Sequence, residues 1–180
     1  MYSVMIQVFV EKSKYNNPDN FQKIYNDLIY SLPINMLECS GCHHSGCLVY
    51  YGWYTRRIKF AGKLVVLSVQ RVKCKECGRT HAILVSVIVP YSQILLPEQQ
   101  EIISAVTSGN NAVHVMNNNP LIDPENIRSI IRQFKKHWEQ RILSLKLNIL
   151  DELTEPCFQN YSRQFMQIHR TPNILFSIST

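Results

Sequence analysis

Two cysteine pairs constrain the fold of this chain more than any other feature of its sequence. Cys39 and Cys42 form one C-x2-C pair, Cys74 and Cys77 form a second, and a glycine follows the second pair directly. Structural Zn²⁺ sites take four ligands at the corners of a tetrahedron, and each C-x2-C turn can place two thiolates on one side of the ion. The spacing therefore predicts one structural Zn²⁺ per chain, bound by Cys39, Cys42, Cys74 and Cys77.

Disulfide, redox and catalytic uses of these cysteines are disfavoured. The apolar first ten residues lack a preceding positive charge and a cleavage site, so we expect no export signal and a reducing, cytoplasmic location. No βαβ pattern typical of thioredoxin-like proteins surrounds either pair, and four thiolates leave no open position for a catalytic water. We therefore expect a structural metal and no enzymatic activity.

Three further residues with ligand chemistry lie close to the first pair: His43, His44 and Cys47. Any of them could replace or supplement a metal ligand. The favoured alternative is that both histidines are surface loop residues and that Cys47 is a buried thiol. The sequence leaves this choice open.

A β-rich stretch connects the two cysteine pairs. Residues 48–60 and 64–73 are rich in β-branched and aromatic side chains, and a Gly-containing turn separates them. A further strand is predicted over 81–89, so the metal site should lie at one end of a small sheet. Upstream of the cysteines, alternating apolar residues predict a strand over 4–10, and helical spacing predicts a helix near 21–29.

Three helices are predicted in the region that follows. Pro97 is typical of a helix start, residues 112–116 favour a short second helix, and Asp123 is a typical N-cap for a third. An apolar stripe predicts that the third helix continues to about residue 150. The stripe consists of Ile127, Ile131, Phe134, Trp138, Ile142, Leu145 and Ile149. This order of elements is that of a helix-turn-helix module, with an ordinary three-helix packing unit as the alternative.

Positive charge is concentrated in two segments. The 180 residues include 19 Lys and Arg against 13 Asp and Glu, which gives a net charge of +6. Residues 56–79 hold eight of these cations and one acid, and residues 128–146 hold six cations and one acid. Two basic segments on an otherwise acidic chain favour a polyanionic partner, although solvated faces are the alternative. Double-stranded DNA is the partner that we expect.

The third predicted helix and the predicted hairpin supply the candidate DNA contacts. In a helix-turn-helix module the first turns of the last helix touch base edges in the major groove. The predicted base contacts are Asn126, Arg128, Ser129 and Arg132. The predicted phosphate contacts are Lys135, Lys136, Arg56, Arg57 and Lys59.

A longer motif surrounds the second cysteine pair. It reads Arg71-Val-Lys-Cys-Lys-Glu-Cys-Gly-Arg-Thr-His81, and a Pro-Tyr pair follows at 90–91. Together with the first pair and the strand rich in Tyr, Trp and Arg, this motif resembles the zinc-binding head of bacterial insertion-sequence transposases. It resembles a related uncharacterised bacterial zinc-domain family more closely still. In such transposases the zinc head and a helix-turn-helix bind the ends of the element, so the resemblance implies the same four zinc ligands and DNA binding.

The chain also departs from the transposase pattern. Its first pair has Ser40 and His43 where such motifs usually have Pro and Gly. Transposases of that type carry a nuclease domain whose three acidic residues lie on separate parts of the fold. Here 30 residues follow position 150, and their acids Asp151, Glu152 and Glu155 are bunched, so separated carboxylates cannot hold two metal ions. We expect the DNA-binding part without the catalytic nuclease domain.

These patterns predict an α+β fold, with a small β-rich four-cysteine zinc ribbon followed by a helix-turn-helix-like helical region. Four regions are expected along the chain. They are an N-terminal strand and helix (1–36), the zinc-ribbon domain (37–92), the helical domain (93–150) and a C-terminal helix and tail (151–180).

The resulting hypothesis is a zinc-dependent DNA-binding protein of mobile-element, transposase-related descent that acts as an accessory or regulatory factor. The alternative is a zinc-ribbon module for protein–protein interaction in a larger complex. A protein partner or a homodimer is expected through the long C-terminal helix, whose residues 142–149 should pack against a second copy or against a tail helix at 158–168. No apolar run is long enough to span a membrane, so no membrane association is expected.

Overall fold

A five-stranded mixed sheet organises the residues that our computed structural model describes, which are 4–11, 14–169 and 173–177. Its strands are β1 (Val4–Val8), β2 (Leu48–Phe60), β3 (Lys63–Cys74), β4 (Thr80–Val85) and β5 (Asn173–Phe176). The order across the sheet is β2-β3-β4-β1-β5. β3 is antiparallel to β2 and β4, whereas β1 is parallel to β4 and β5.

β2 and β3 form the long hairpin that was predicted between the cysteine pairs. Ala61 and Gly62 turn the chain with φ values of 46° and 75°. Two positive φ values match the right-handed twist of the flanking strands, which is why this turn can join them directly. One face of the hairpin is buried, with Ile58 and Leu67 almost fully covered, and the other face is exposed to solvent.

The helix α1 (Phe21–Ser31) packs against β3 through a completely buried stripe of Phe21, Tyr25 and Ile29. The Tyr25 hydroxyl donates to Ile83 O at 2.8 Å and accepts from Gln70 N at 2.9 Å. This one side chain thereby ties α1 to β3 and to β4.

Five further helices follow β4 in the described residues: α2 (Leu96–Thr107), α3 (Val113–Asn118), α4 (Pro124–His137), α5 (Glu139–Leu145) and α6 (Thr154–Tyr161). The predicted first two helices are confirmed as α2 and α3. The predicted start of α4 is also confirmed, because Pro124 is its first residue and Asp123 and Asn126 form a reciprocal capping box. The helices bury a second apolar cluster, around Phe134 and Trp138, beside the one formed by the sheet and α1.

The prediction of one continuous helix to about residue 150 is wrong. α4 ends at His137, Trp138 leaves helical geometry with φ −126°, and α5 ends where Lys146 takes φ 55°. The Trp138 side chain is 1% exposed, and its Nε1 donates to Gln167 O at 3.3 Å. Burial of this indole in the helical cluster overrides the continuous stripe in the sequence.

The C-terminal segment also differs from its prediction. The tail helix expected at 158–168 is α6, and Ser162 ends it with φ 54°. α6 lies beside the start of the distal stripe, because the Tyr161 hydroxyl donates to Arg141 O at 3.0 Å. Of the three residues of that stripe, Ile142 is buried, whereas Leu145 and Ile149 are half-buried. β5, which the sequence did not predict, adds an edge strand beside β1.

β4 is shorter than the strand predicted over 81–89. It ends at Val85, where Ser86 turns toward the end of β1 and its hydroxyl accepts from Val10 N at 3.0 Å.

The division of the chain into four regions stays a prediction. The sheet nevertheless contains strands from three of these regions, since β1, β4 and β5 come from different regions and lie side by side. Within the described ranges, no helix combines the length and the apolar character needed to cross a bilayer.

Candidate metal centre and basic helix

Four cysteine side chains meet at the end of the sheet where β3 stops. Cys39 and Cys42 come from the loop before β2, Cys74 is the last residue of β3, and Cys77 lies in the turn into β4. Their Sγ atoms all lie within 4.8 Å of one another, with Cys39 and Cys77 separated by 3.6 Å and Cys42 and Cys74 by 3.7 Å. Thiolates at about 2.3 Å from a tetrahedral Zn²⁺ lie roughly 3.8 Å apart. The four cysteines are therefore placed to hold a metal ion.

The two cysteine turns close in the same way. In each turn a backbone N–H donates to the sulfur of the first cysteine at 3.4 Å, from Gly41 in the first turn and from Cys77 in the second. The N–H four residues after the first cysteine closes each turn onto that cysteine's carbonyl, from His43 at 2.7 Å and from Gly78 at 3.0 Å. His43 and Gly78 have φ values of 61° and 71°, a region that favours glycine. The glycine after the second pair is thus explained, and His43 takes the same conformation in the first turn.

Hydrogen bonds stabilise the thiolate form of Cys74. Burial opposes its ionisation, but donors led by the Cys77 N–H lower the Cys74 pKa to about 6. Burial raises the pKa of the Cys39 thiol to about 12. A bound cation would hold both as thiolates. Arg79 Nη1 donates to Gly41 O at 3.2 Å and places a positive charge beside both turns.

His81 is a further residue of this site, and the sequence alone predicted no role for it. It is completely buried, with Nε2 at 3.2 Å from Cys39 Sγ and Nδ1 at 3.3 Å from Ser40 Oγ. Burial lowers the His81 pKa to about 4, so the ring is neutral. With a metal ion bound, the Cys39 thiolate can only accept, so Nε2–H would donate to the sulfur and Nδ1 would accept from the Ser40 hydroxyl. His81 is thereby placed to orient the Cys39 sulfur toward a metal ion. The only signal in the sequence was its position four residues after Cys77.

We expect His81→Ala to lower metal affinity by about 10- to 100-fold, because the hydrogen bond that orients Cys39 is lost. Competition with a coloured chelator measures this affinity. His81→Gln, whose amide N–H can take the place of the Nε2–H, should retain most of the affinity. Equal losses in the two variants would show that the hydrogen bond to the sulfur plays no part.

The three residues that the sequence left open lie outside the group of four cysteines. His43 and His44 are exposed, and His43 Nδ1 lies 2.6 Å from Glu38 Oε1. Cys47 is buried, and its Sγ lies 3.3 Å from Cys74 Sγ. Cys47 thus contacts the four-cysteine group through Cys74, whereas the two histidines are exposed to solvent.

α4 carries four cations on its exposed face, while Ile130 and Phe134 on its opposite face are buried. The cations are Arg128, Arg132, Lys135 and Lys136. The Arg128 guanidinium forms an ion pair with Glu125 at 2.9 Å, and both side chains are exposed. Four of the six DNA contacts predicted for this helix therefore share one solvent-facing surface.

The remaining predicted contacts differ in their surroundings. Lys59 Nζ donates to Asn126 Oδ1 at 2.8 Å, so these two side chains contact each other. Arg56 Nη2 donates to two carbonyls of the loop after β4, at 2.6 Å each. Ser129 is half-buried, whereas Arg57 is exposed. Asn126, Arg56 and Lys59 thus have structural contacts within the chain, and their DNA contacts stay predictions.

The fold and the cysteine group define a class of protein, a mixed α/β protein with a four-cysteine site that can hold a metal ion. Residues 39–132, just over half of the 180 residues, match a family described as a domain of unknown function, DUF6431, and the chain therefore belongs to this family. The matched segment begins at Cys39 and ends within α4, at Arg132. Comparisons with curated proteins and with solved structures gave no significant match.

Proposed function

We propose that this protein binds double-stranded DNA with α4 in the major groove. The observation that supports this most strongly is the exposed cationic face of α4, from Arg128 to Lys136, on a helix whose other face is buried. α2, α3 and α4 follow one another in the order of a helix-turn-helix module, and α2 packs against α4. Such a helix offers guanidinium groups to base edges and ammonium groups to phosphates.

Zn²⁺ is the metal that we propose for the four-cysteine site. Sulfur–sulfur distances of 3.6 and 3.7 Å fit its tetrahedral radius, and four thiolates suit a soft or borderline cation. When bound, the ion would supply no reaction chemistry, because four thiolates fill its coordination shell. Its contribution is structural: it would fasten the loop before β2 to the end of β3, as a zinc ribbon does.

Descent from insertion-sequence transposases and a role as an accessory or regulatory factor form part of the proposal. The resemblance around the second cysteine pair supports the descent, and the family match supports treating the cysteine site and α4 as one unit. Among the described residues, the four cysteines are the only group of three or more His, Cys, Asp or Glu side chains placed to hold a metal ion. The proposal therefore includes no nuclease chemistry at these four cysteines.

Fluorescence anisotropy with duplex DNA at several salt concentrations tests the proposal. Arg132→Ala should weaken binding by roughly 1–3 kcal/mol and change the base preference, because it removes a donor to base edges. Lys136→Ala should weaken binding to all duplexes alike and reduce the salt slope by about one, because it removes a phosphate contact.

Lys23→Ala is the matched control, since Lys23 is an exposed lysine on α1, outside both basic segments. This variant should bind duplex DNA as the unaltered protein does. Unchanged binding in the Arg132 and Lys136 variants, with the metal and the fold retained, would contradict the groove assignment.

A protein-interaction module remains the second candidate, and one observation favours it. The hairpin exposes five large apolar side chains: Tyr50 at 52%, Tyr51 at 53%, Trp53 at 42%, Leu64 at 51% and Val66 at 56%. Exposed apolar surfaces of this kind mark contact sites for other macromolecules. Failure to bind any duplex at low salt would favour this candidate over DNA binding.

A further inference from the structure

The outer edge of β2 is open over a short stretch centred on Thr55. β2 is the first strand of the sheet and pairs with β3 alone. A bulge between Tyr50 and Gly52 interrupts it at one end, and at the other end Lys59 N donates to Gln93 O at 2.8 Å. Between these points, no described residue forms a backbone hydrogen bond to the outer edge of the strand.

The backbone groups that point outward on this stretch follow from the Lys59 contact. The N–H of Lys59 points away from β3, toward Gln93. Because the hydrogen-bonding direction alternates along an antiparallel strand, the N–H and C=O groups of Trp53, Thr55 and Arg57 also point outward. The edge therefore offers three donors and three acceptors, spaced as an added strand requires.

The solvent-facing side of this hairpin exposes several large apolar side chains. In the β2–β3 register, Arg57 lies opposite Val66 and Lys59 lies opposite Leu64. Val66 and Leu64 are more than half exposed, and Trp53 is exposed on the same face. A groove of about 410 Å³ lies beside Thr55 and Arg57, and Tyr91, Ser92 and Gln93 of the loop after β4 form its other wall.

The sequence of the strand indicates which chain fits. Trp53 precedes Thr55 by two residues, and Arg57 follows it by two. If two β2 strands pair antiparallel about a twofold axis at Thr55, each Trp53 lies opposite the partner's Arg57, and the two threonines lie opposite each other. Cation–aromatic pairs and Thr–Thr pairs both stabilise facing strands.

The same cation–aromatic chemistry already occurs once on this hairpin. The Arg71 guanidinium and the Lys73 ammonium lie 5.8 Å and 5.3 Å from the centre of the Tyr51 ring.

Charge favours an axis at Thr55 over an axis at the next outward-pointing residue. An axis moved to Arg57 would place two guanidinium groups directly opposite each other, which is unfavourable.

We propose that two copies of this chain associate through antiparallel pairing of β2 from Trp53 to Arg57, about a twofold axis at Thr55. Three outward residues on each strand each donate one hydrogen bond, which gives six between the copies and joins the two five-stranded sheets. Arg57 then belongs to the interface between copies. The pairing uses no residue of α4, so it leaves the proposed groove contacts free, but it occupies Arg57, which the sequence predicted as a phosphate contact.

Sedimentation equilibrium of the metal-loaded protein tests the pairing. The unaltered protein should form a dimer in a concentration-dependent manner, and Thr55→Pro should raise its dissociation constant at least about tenfold. The Thr55 N–H points away from β3, so a proline there removes no bond of the hairpin itself. Melting temperature and metal content verify that Thr55→Pro is folded. A dimer that Thr55→Pro leaves unweakened, or a protein that is monomeric at every concentration, would overturn the proposal.

A crosslinking experiment tests the register independently. Facing residues of a hydrogen-bonded antiparallel pair have Cα atoms about 5.5 Å apart, within disulfide range. Thr55→Cys should therefore give a covalent dimer under mild oxidation. The matched control is Ser68→Cys, which is exposed opposite Thr55 on β3 and would lie roughly 15 Å from its counterpart, given the spacing of strands. Equal crosslinking of the two variants would reject this register.

Discussion

Cys74→Ser is expected to remove the bound metal and to lower the free energy of unfolding by at least about 4 kcal/mol. Structural zinc sites contribute roughly 10–16 kcal/mol of apparent binding energy in small peptides. Here only a part is coupled to folding, because the sheet and α1 have their own apolar cluster. Cys74 is the residue to change because its sulfur contacts those of Cys42 and Cys47 and accepts from the Cys77 N–H.

Elemental analysis and thermal melting measure the two effects. We expect metal content to fall from about one per chain to near zero. We also expect the melting temperature to fall by roughly 8 °C or more for a chain of this size. Cys157→Ala is the matched control, because Cys157 is a completely buried cysteine in α6 that does not belong to the metal-binding group. A Cys74→Ser protein that keeps a full equivalent of metal and its native melting temperature would contradict the assignment of the site.

The group of four cysteines could be predicted from the sequence because each of its two turns is local. A C-x2-C turn needs four or five consecutive residues, and the glycine at position 78 takes the positive φ that closes the second turn. The hairpin was predictable for the same reason, since Ala61 and Gly62 lie between two β-rich runs. The start of α4 was fixed by Asp123 and Pro124, which are also neighbours in the chain.

The side chains that contact the four cysteines could not be predicted, because strand pairing brings them into place. β3 and β4 pair with Val72 opposite His81, and this register places the imidazole beside Cys39. The parallel pairing of β1 with β4 joins residues more than seventy positions apart, such as Ile6 and Ile83. Alternation in the sequence identifies such strands but does not give their neighbours or register.

The sequence shows where the cations lie along the chain, but it does not show which of them are exposed to solvent. Arg56 and Arg57 are adjacent in sequence, yet Arg56 donates to carbonyls of the loop after β4, whereas Arg57 is exposed. Alternation along β2 places the two side chains on opposite faces of the sheet. Which face is covered depends on that distant loop, so a count of charges could not separate the two residues.

Trp138→Ala is expected to lower the free energy of unfolding by about 3–5 kcal/mol, the usual cost of truncating a fully buried aromatic side chain. The Trp138 ring stacks edge-on against Tyr161 and Phe165, with centroids 5.9 and 5.4 Å away, and the Arg141 guanidinium lies 5.2 Å from its centre. Its Nε1 also donates to Gln167 O. The substitution would remove the side chain around which α4, α5 and α6 pack.

Chemical denaturation measures this loss, and Leu143→Ala is the control, because Leu143 is a large apolar residue on α5 that is 63% exposed. Its replacement should change the free energy of unfolding by no more than about 0.5 kcal/mol. Trp138→Phe should fall between the two, since a phenyl ring fills most of the space but cannot donate to Gln167 O. If Trp138→Ala were as stable as Leu143→Ala, the buried indole could not be the side chain around which α4, α5 and α6 pack.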